Sequence, residues 1–222
     1  MSEVKRTVLL LGATGLVGSE CLRLLIADPT IERIVVLVRR GLERDTASNK
    51  VREEVVDFDA LTARSELFKV DQIFSALGTT IRQAGSQSAF RRVDLEYPLA
   101  AARIGVEQGA RHFLLVSAAG ARSDSRIFYN RVKGELEDAL RTTSYRSVTI
   151  VRPSLLMGDR RSPRLGEEIG KRLGWIAPRK YKPILAATVA AALVQSARDD
   201  QPGLRIIESD EIRRVAEHHA GA

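Results

Sequence analysis

The sequence predicts an α/β protein with a doubly wound, mainly parallel sheet. Short apolar runs rich in Val, Ile and Leu alternate along the chain with longer segments of helical periodicity, which is typical of parallel strands joined by helical crossovers. The length of 222 residues and a hydrophobic content of 44% suit one core, and no Gly/Ser-rich linker divides the chain. We therefore predict one domain over residues 1–222.

Each element of this fold is predicted from its periodicity. The strands are expected at Thr7–Leu11, Ile34–Val38, Glu54–Val56, Gln72–Ser75, His112–Val116 and Val148–Val151. The helices are expected at Leu16–Ala27, Ser86–Gln108, Phe128–Thr142, Thr188–Ala197 and Glu211–Glu217. Prolines interrupt the chain after the last of these strands, so residues 153–185 and 200–222 are predicted to form a small cap over the carboxyl edge of the sheet.

The charge balance narrows the choice of partners. The net charge is +7 at pH 7, and much of it lies between Arg152 and Lys182. That stretch has few aromatic residues and no helix-turn-helix, zinc-finger or RNA-recognition pattern, so no specific nucleic-acid partner is expected. A small-molecule substrate, and an anionic one in particular, suits this charge better. The sequence leaves open a protein partner, and it leaves open the choice between a monomer and a homodimer.

The cysteine and histidine content predicts neither a disulfide nor a metal site. Cys21 is the single cysteine, and the three histidines do not stand at metal-ligand spacing. The first residues are charged, and no apolar run reaches membrane-spanning length. We therefore expect a cytoplasmic protein without a membrane partner.

A glycine-rich loop follows the first predicted strand and opens the first helix. Its residues are Gly12, Ala13, Thr14, Gly15, Leu16, Val17 and Gly18. Glycines at this spacing permit a tight turn and a close approach of backbone N–H groups to a pyrophosphate, and the helix N-terminus favours negative charge. The loop predicts a dinucleotide site; the alternative is that the glycines serve only the turn.

Residues after the second and third strands indicate which dinucleotide is bound. Arg39 and Arg40 stand where a site that prefers NAD has an acidic residue for the ribose 2′-hydroxyl. A guanidinium is a two-pronged partner for a 2′-phosphate, so the pair predicts NADP(H), against the alternative of two solvated arginines. Asp57 and Phe58 are placed to meet the adenine, with the carboxylate accepting from its amino group; a merely solvated acid is the alternative.

A candidate catalytic group follows the fifth strand. Tyr129 and Lys133 are one helical turn apart and share a face of the predicted helix. The ammonium would favour loss of the phenolic proton, so that Tyr129 gives or takes a proton. Ser117 lies at the carboxyl end of the strand, in the crevice where open α/β sheets bind ligands, and is placed to hydrogen-bond a carbonyl oxygen. Surface or capping roles are the alternative for all three.

Several further motifs occur in a fixed order with these. They are Asp57-Phe58, Ala76-Leu77-Gly78-Thr79-Thr80, Val116-Ser117-Ala118, Tyr129-x-x-x-Lys133 and Arg152-Pro153-Ser154-Leu155-Leu156. Together with the glycine loop, this order resembles the atypical short-chain dehydrogenase/reductases, which have a Rossmann fold, and more narrowly the branch of the human Tat-interactive oxidoreductase. The resemblance covers nearly the whole chain.

The resemblance carries further expectations about the site. It implies that Leu77, Gly78 and Thr79 line the cofactor, that the segment Pro153, Ser154 and Leu155 closes over the nicotinamide amide, and that the cofactor is NADPH. The chain departs from the family at two positions. Asp94 is the candidate where many relatives have an asparagine of the proton relay, and Ser154 stands where this branch has glycine.

These observations predict an NADPH-dependent oxidoreductase that reduces a carbonyl-like small molecule. Tyr129 would donate the proton, Lys133 would bind the nicotinamide ribose and Ser117 would position the oxygen. Two alternatives stay open: an NADPH-binding regulatory protein with little or no turnover, and an epimerase or isomerase that retains its cofactor.

Overall fold

A computed structural model describes residues 5–41, 48–157 and 182–217 of the chain. Its centre is a seven-stranded sheet of β1 (Arg6–Leu11), β2 (Ile31–Val38), β3 (Val51–Val55), β4 (Gln72–Ser75), β5 (His112–Val116), β6 (Ser147–Arg152) and β9 (Gly203–Glu208). The strands lie in the order β3-β2-β1-β4-β5-β6-β9, and every neighbouring pair is parallel. The predicted fold class, a doubly wound parallel α/β sheet, is confirmed.

Helices cover both faces of the sheet. They are α1 (Leu16–Ala27), α2 (Ile81–Ala84), α3 (Gln87–Arg91), α4 (Tyr97–Glu107), α5 (Phe128–Arg141), α6 (Ala186–Asp199) and α7 (Ser209–Glu217). A 3₁₀ segment spans Phe58–Phe68, and a π turn at Arg92–Glu96 joins α3 to α4. None of the helices in the described ranges is long and apolar enough to cross a lipid bilayer.

Alternate residues of each strand divide the core into two layers. In β1, Val8 and Leu10 face the layer that α1, α6 and α7 cover, whereas Leu9 and Leu11 face the layer under the 3₁₀ segment, α4 and α5. All four side chains are fully buried. Burial of one such side chain stabilises the fold by roughly 1.5–3 kcal/mol, so β1 anchors both layers at once.

The sheet is wound outward from β1 in two directions. One neighbour of β1 is β2 and the other is β4, so the order of strands along the chain reverses between β1 and β4. In open α/β sheets the crevice at such a reversal, outside the carboxyl ends of the strands, is where ligands bind. The loops that follow β1, β4 and β5 meet at this edge.

The prediction that residues 200–222 belong to the cap is wrong for residues 203–208. Residues 203–208 form β9, the seventh strand of the central sheet, and β9 pairs with β6 along its whole length. This strand was not predicted because it lies at the edge of the sheet, where several of its side chains are exposed and the apolar pattern is weak. The helix that follows, α7, packs against α6 in the core layer that α1 also covers.

Two further differences concern the helical segments. The helix predicted over Ser86–Gln108 is broken into α3, the π turn and α4, and the 3₁₀ segment over Phe58–Phe68 was not predicted. A π turn widens the helix locally without interrupting its apolar periodicity, so the pattern cannot reveal it. This turn carries Asp94, whose side chain is completely buried.

Residues 153–185 were predicted as the first part of the cap, and the two ends of this segment pair with each other. A short strand β7 (Leu156–Met157) pairs in parallel with β8 (Ile184–Leu185) beside the carboxyl end of β6. The rest of that part of the cap, residues 158–181, lies outside the described residues.

Candidate active site

The glycine loop has the backbone geometry that its spacing predicts. Gly12 has a φ of +82°, and a Cβ there would lie 2.5 Å from the carbonyl oxygen of Ala76 at the end of β4. A Cβ at Gly18 would lie 2.0 Å from the carbonyl oxygen of Gly12. Both positions therefore require glycine, because any side chain would push the first turn of α1 away from the sheet.

The same loop leaves backbone donors at the N-terminus of α1. Gly15 caps this helix without a side-chain hydrogen bond, and its own N–H donates to the carbonyl oxygen of Gly12 at 2.9 Å. Ala13 and Val17 are buried in the core, Leu16 packs partly against it, and Thr14 is exposed at the loop tip. The first N–H groups of the helix are thus suited to an anion at the carboxyl edge.

Of the four residues predicted to contact the adenosine half of the dinucleotide, three are exposed and one is buried. Arg39 and Arg40 are exposed directly after β2, the strand next to β1. Asp57 is exposed and caps the 3₁₀ segment, since its Oδ1 accepts from the N–H of Asp59 at 2.9 Å. Phe58 is buried, and its ring packs against a tyrosine with a centroid distance of 5.4 Å. Phe58 can therefore offer a nucleotide its backbone, because its side chain belongs to the core.

The loop after β4 lies directly above a buried ion pair. Nζ of Lys133 is 2.8 Å from Oδ1 of Asp94, and these side chains are 3% and 0% exposed. Oδ2 of Asp94 accepts from the backbone N–H of Thr79 at 2.9 Å. Gly78 is exposed, and a Cβ there would lie 3.6 Å from Asp94 and 3.9 Å from Lys133. Leu77 packs partly against the core below.

The charge state of Lys133 follows from these contacts. Burial alone would lower its pKa, but attraction to Asp94, followed by smaller contributions of Tyr129 and Glu137, raises the pKa above its ordinary value. Lys133 is therefore an ammonium at neutral pH. Asp94, which was predicted only as a departure from the family pattern, is the buried counter-ion of the predicted catalytic lysine.

Tyr129 lies one turn before Lys133 on α5, as the spacing predicts. It is half-buried, and its ring packs against the ring of Phe90 from α3 with a centroid distance of 5.6 Å. Phe90 is completely buried and so provides a fixed wall for the phenol ring. The π turn and α3 therefore supply both the counter-ion of Lys133 and the packing of Tyr129.

Ser117 forms a hydrogen bond with Glu137, a residue that was not predicted to belong to the site. Its Oγ donates to Oε1 of Glu137 at 2.5 Å, and both residues are buried. Glu137 also accepts from Nη2 of Arg152 at 2.5 Å, and Nη1 of Arg152 contacts Glu208 at 2.8 Å. The spacing of Glu137, one further turn after Tyr129 and Lys133, was the available signal.

The segment after β6 is tied down on both sides. Pro153 is buried, and the N–H of Ser154 donates to Oγ of Ser209 at 3.1 Å. The Ser154 hydroxyl donates to the carbonyl oxygen of Lys182 at 2.5 Å. The carbonyl oxygen of Leu155 accepts from a backbone N–H of β8 at 2.9 Å. This segment is therefore fixed at the carboxyl edge beside β6.

Comparison with known proteins identifies the family. A family model described as NAD(P)H-binding matches residues 12–200. Protein HTATIP2 of Rattus norvegicus is 34% identical over 169 residues, which cover 75% of this chain and 69% of that protein. Protein FMP52, mitochondrial, of Candida albicans is 33% identical over 199 residues, which cover 85% of this chain and 86% of the relative.

Solved structures share the fold at low sequence identity. MoeE5 in complex with UDP-glucose and NAD has a TM-score of 0.71 at 15% identity, over 97% of this chain and 82% of its own. DesIV, a dTDP-glucose 4,6-dehydratase from Streptomyces venezuelae with NAD and TYD bound, has a TM-score of 0.72 at 17% identity, over 96% and 80%. The chain therefore belongs to the NAD(P)H-binding family on a Rossmann fold and is a homologue of HTATIP2.

Proposed function

We propose that this protein is an NADPH-dependent oxidoreductase that reduces the carbonyl group of a small molecule. The observation that carries the proposal is the pairing of Tyr129 with a charged, buried Lys133 on one face of α5, at the edge of the sheet where the glycine loop opens. A half-buried phenol beside an ammonium is suited to proton transfer to a carbonyl oxygen.

The residues at this edge fit a dinucleotide. The close backbone contacts at Gly12 and Gly18 leave the first turn of α1 open to a pyrophosphate, and Gly78 has no side chain to cover the buried ion pair. When bound, the reduced nicotinamide supplies the hydride. Lys133 would bind ribose hydroxyls, and Tyr129 would donate its phenolic proton to the oxygen of the substrate.

The preference for NADPH over NADH is part of the proposal. It is supported by Arg39 and Arg40, which are exposed directly after β2. A bare ribose hydroxyl would gain little from two guanidinium groups, whereas a 2′-phosphate would gain charge-assisted hydrogen bonds.

The decisive experiment replaces the phenol. Tyr129→Phe should reduce NADPH-dependent turnover of a carbonyl panel by at least about 100-fold, because general acid catalysis is lost. The affinity for NADPH, measured by calorimetry, should stay within about twofold. Full turnover in this variant, or no uptake of either nicotinamide cofactor by folded wild-type protein, would overturn the proposal.

A second candidate function is an NADPH-binding regulatory protein with little turnover. The observation that favours it is that Lys133 and Ser117 both have partners within the protein, Asp94 and Glu137. Such a protein would bind NADPH and change its affinity for a protein partner. NADPH-dependent binding in a pull-down, with no oxidation of NADPH by the carbonyl panel, would favour this function.

We also propose a cytoplasmic location for this protein. The alternative is the mitochondrion, because FMP52 of Candida albicans is named as a mitochondrial protein. A fluorescent fusion of the full chain in its own cells distinguishes the two locations.

A further inference from the structure

A buried carboxylate continues the catalytic face of α5. Tyr129, Lys133 and Glu137 follow one another on successive turns, and residues four apart lie on one face of a helix. Glu137 is 1% exposed. The proposed function uses the phenol and the ammonium, and it leaves the acid of the third turn without a role.

The contacts of Glu137 connect it to the predicted catalytic serine. Oγ of Ser117 donates to Oε1 of Glu137 at 2.5 Å. Arg152 of β6 reaches the same carboxylate with two groups: its Nη2 lies 2.5 Å from Oε2 and its Nε lies 3.1 Å from Oε1. A hydrogen bond to an ionised acceptor is stronger than one between neutral groups, so the Ser117 side chain is held firmly in this orientation.

Neutralising Arg152 does not by itself require Glu137. Nη1 of Arg152 already contacts Oε1 of Glu208 at 2.8 Å, so the guanidinium has a second acidic partner. A buried ion pair is on its own weak evidence for stability, since apolar residues of similar volume often serve as well. The feature that an apolar residue could not reproduce is the acceptor for the Ser117 hydroxyl.

The arrangement also determines where the Ser117 proton lies. A serine hydroxyl has one proton, and in this structure Glu137 accepts it. To donate to a carbonyl oxygen of a substrate, the hydroxyl must turn away from Glu137. After this rotation the carboxylate of Glu137 still accepts from Nε and Nη2 of Arg152. Rotation of the hydroxyl therefore leaves no unpaired charge in the interior.

We propose that Glu137 is a positioning residue for Ser117. It holds the serine side chain at the carboxyl end of β5 and accepts the hydrogen bond of its hydroxyl until a substrate oxygen takes over as acceptor, while Arg152 stabilises the carboxylate in both orientations of the hydroxyl. This inference rests on the proposed function, because it needs Ser117 to act on a substrate oxygen.

A double-mutant cycle on the full 222-residue chain tests the inference. Glu137→Asp keeps the charge for Arg152 but shortens the side chain, so the contact with Ser117 is lost. With NADPH and 4-nitrobenzaldehyde or 9,10-phenanthrenequinone as probes, Ser117→Ala should lower kcat by roughly 100- to 1,000-fold, the range expected when one aligned hydrogen-bond donor is lost. Glu137→Asp should lower kcat by a smaller factor, because the serine hydroxyl stays but its side chain is no longer held in place. The double variant should be no slower than Ser117→Ala alone, since both changes remove the same contact.

Controls separate positioning from a general structural role. Glu135→Gln alters an acid on the same helix that pairs with Arg91 at 2.6 Å, and it should leave kcat unchanged. The Kd for NADPH should be the same in all variants. If Glu137→Asp does not fold, Glu137→Leu takes its place in the cycle with the same expectation, because leucine lacks the acceptor while Arg152 keeps Glu208 as a partner.

The outcomes distinguish this inference from the function on which it rests. Full kcat in Glu137→Asp, or losses that multiply in the double variant, would overturn the inference while an inactive Tyr129→Phe leaves the proposed function standing. Full turnover in Tyr129→Phe would overturn both.

Discussion

The ion pair of Lys133 with Asp94 is almost entirely buried, and the carboxylate of Asp94 also accepts from the backbone N–H of Thr79. A buried pair of this kind is costly to break, because removal of one partner leaves the other charge without compensation. Asp94 therefore has a structural consequence as well as an electrostatic one.

Replacing the counter-ion should destabilise the fold. Asp94→Asn removes the charge that Nζ of Lys133 contacts, which lowers the pKa of the lysine and costs about 3–5 kcal/mol of unfolding free energy. Urea denaturation at pH 7 measures the loss. The matched control is Asp138→Asn on the exposed side of α5, where the ion pair with Arg141 is long at 3.6 Å and a change below about 0.5 kcal/mol is expected. Equal stability of the two variants would contradict this assignment.

The arginines after β2 should determine the cofactor preference. Arg39→Ala combined with Arg40→Ala should weaken NADPH binding by roughly 10- to 100-fold per lost charged hydrogen bond, while NADH binding should change little. Titration of each cofactor by calorimetry gives both constants. Arg33→Ala, an exposed position within β2, is the control. A parallel loss for NADH and NADPH would show that the pair does not read the 2′-phosphate.

At the scale of elements, close packing places α5 against the loop that carries Ser117. A Cβ at Gly134 would lie 2.1 Å from the carbonyl carbon of Arg122 and 2.2 Å from the backbone nitrogen of Ser123. These contacts involve backbone atoms, which cannot move aside as a flexible side chain does. Glycine thus permits the distance between the helix and the loop over which the Ser117–Glu137 contact forms.

Substitution of this glycine should reverse the usual effect of alanine in a helix. Gly→Ala within a helix normally stabilises by roughly 0.5–1 kcal/mol, but here the clash should outweigh this gain and destabilise by about 1–3 kcal/mol. Thermal unfolding of Gly134→Ala gives the sign. A stabilised variant would show that α5 can move away from the loop at no cost.

The limits of sequence analysis are clearest at this scale. Strands with uninterrupted apolar runs, such as Gln72–Ser75 and His112–Val116, have their predicted bounds because they are buried on both faces. The edge strand β9 was missed because half-exposed strands lack that run. The loop, the tyrosine and the lysine could be placed from spacing, whereas the contacts of Asp94 and Glu137 depend on a π turn and on packing between distant elements.

At the scale of the whole molecule, the two edges of the sheet have different roles. The carboxyl edge carries the crevice, and the amino edge is closed by buried polar contacts. His112 at the start of β5 is completely buried; its Nε2 is 2.9 Å from Oγ1 of Thr149, and its Nδ1 is 3.1 Å from Oδ1 of Asp200. Asp200 also pairs with Arg146 at 2.6 Å, beside the turn that leads into β9. These contacts attach the last strand to the sheet.

The buried histidine should make the stability of the whole fold depend on pH. Burial lowers the pKa of His112 from 6.5 to about 4; the carboxylate of Asp200 opposes this shift, and the positive charges of Arg146 and Arg6 add to it. The unfolded chain therefore takes up a proton near pH 6.5 that the folded protein takes up only near pH 4. The stabilisation is present above pH 6.5 and is lost as the pH falls toward 4, by about 2 kcal/mol between pH 7 and pH 4.5.

Urea denaturation across that range tests the dependence, with His112→Gln as the matched variant. The variant should be less stable at pH 7, because a well-packed ring is lost. As the pH is lowered, its unfolding free energy should decrease less steeply than that of the unsubstituted protein. The other histidines, His218 and His219, are present in both proteins and cancel in the difference. If the two slopes are equal between pH 6.5 and pH 4.5, His112 takes up its proton in the folded state as readily as in the unfolded one, and the amino edge must be open to solvent.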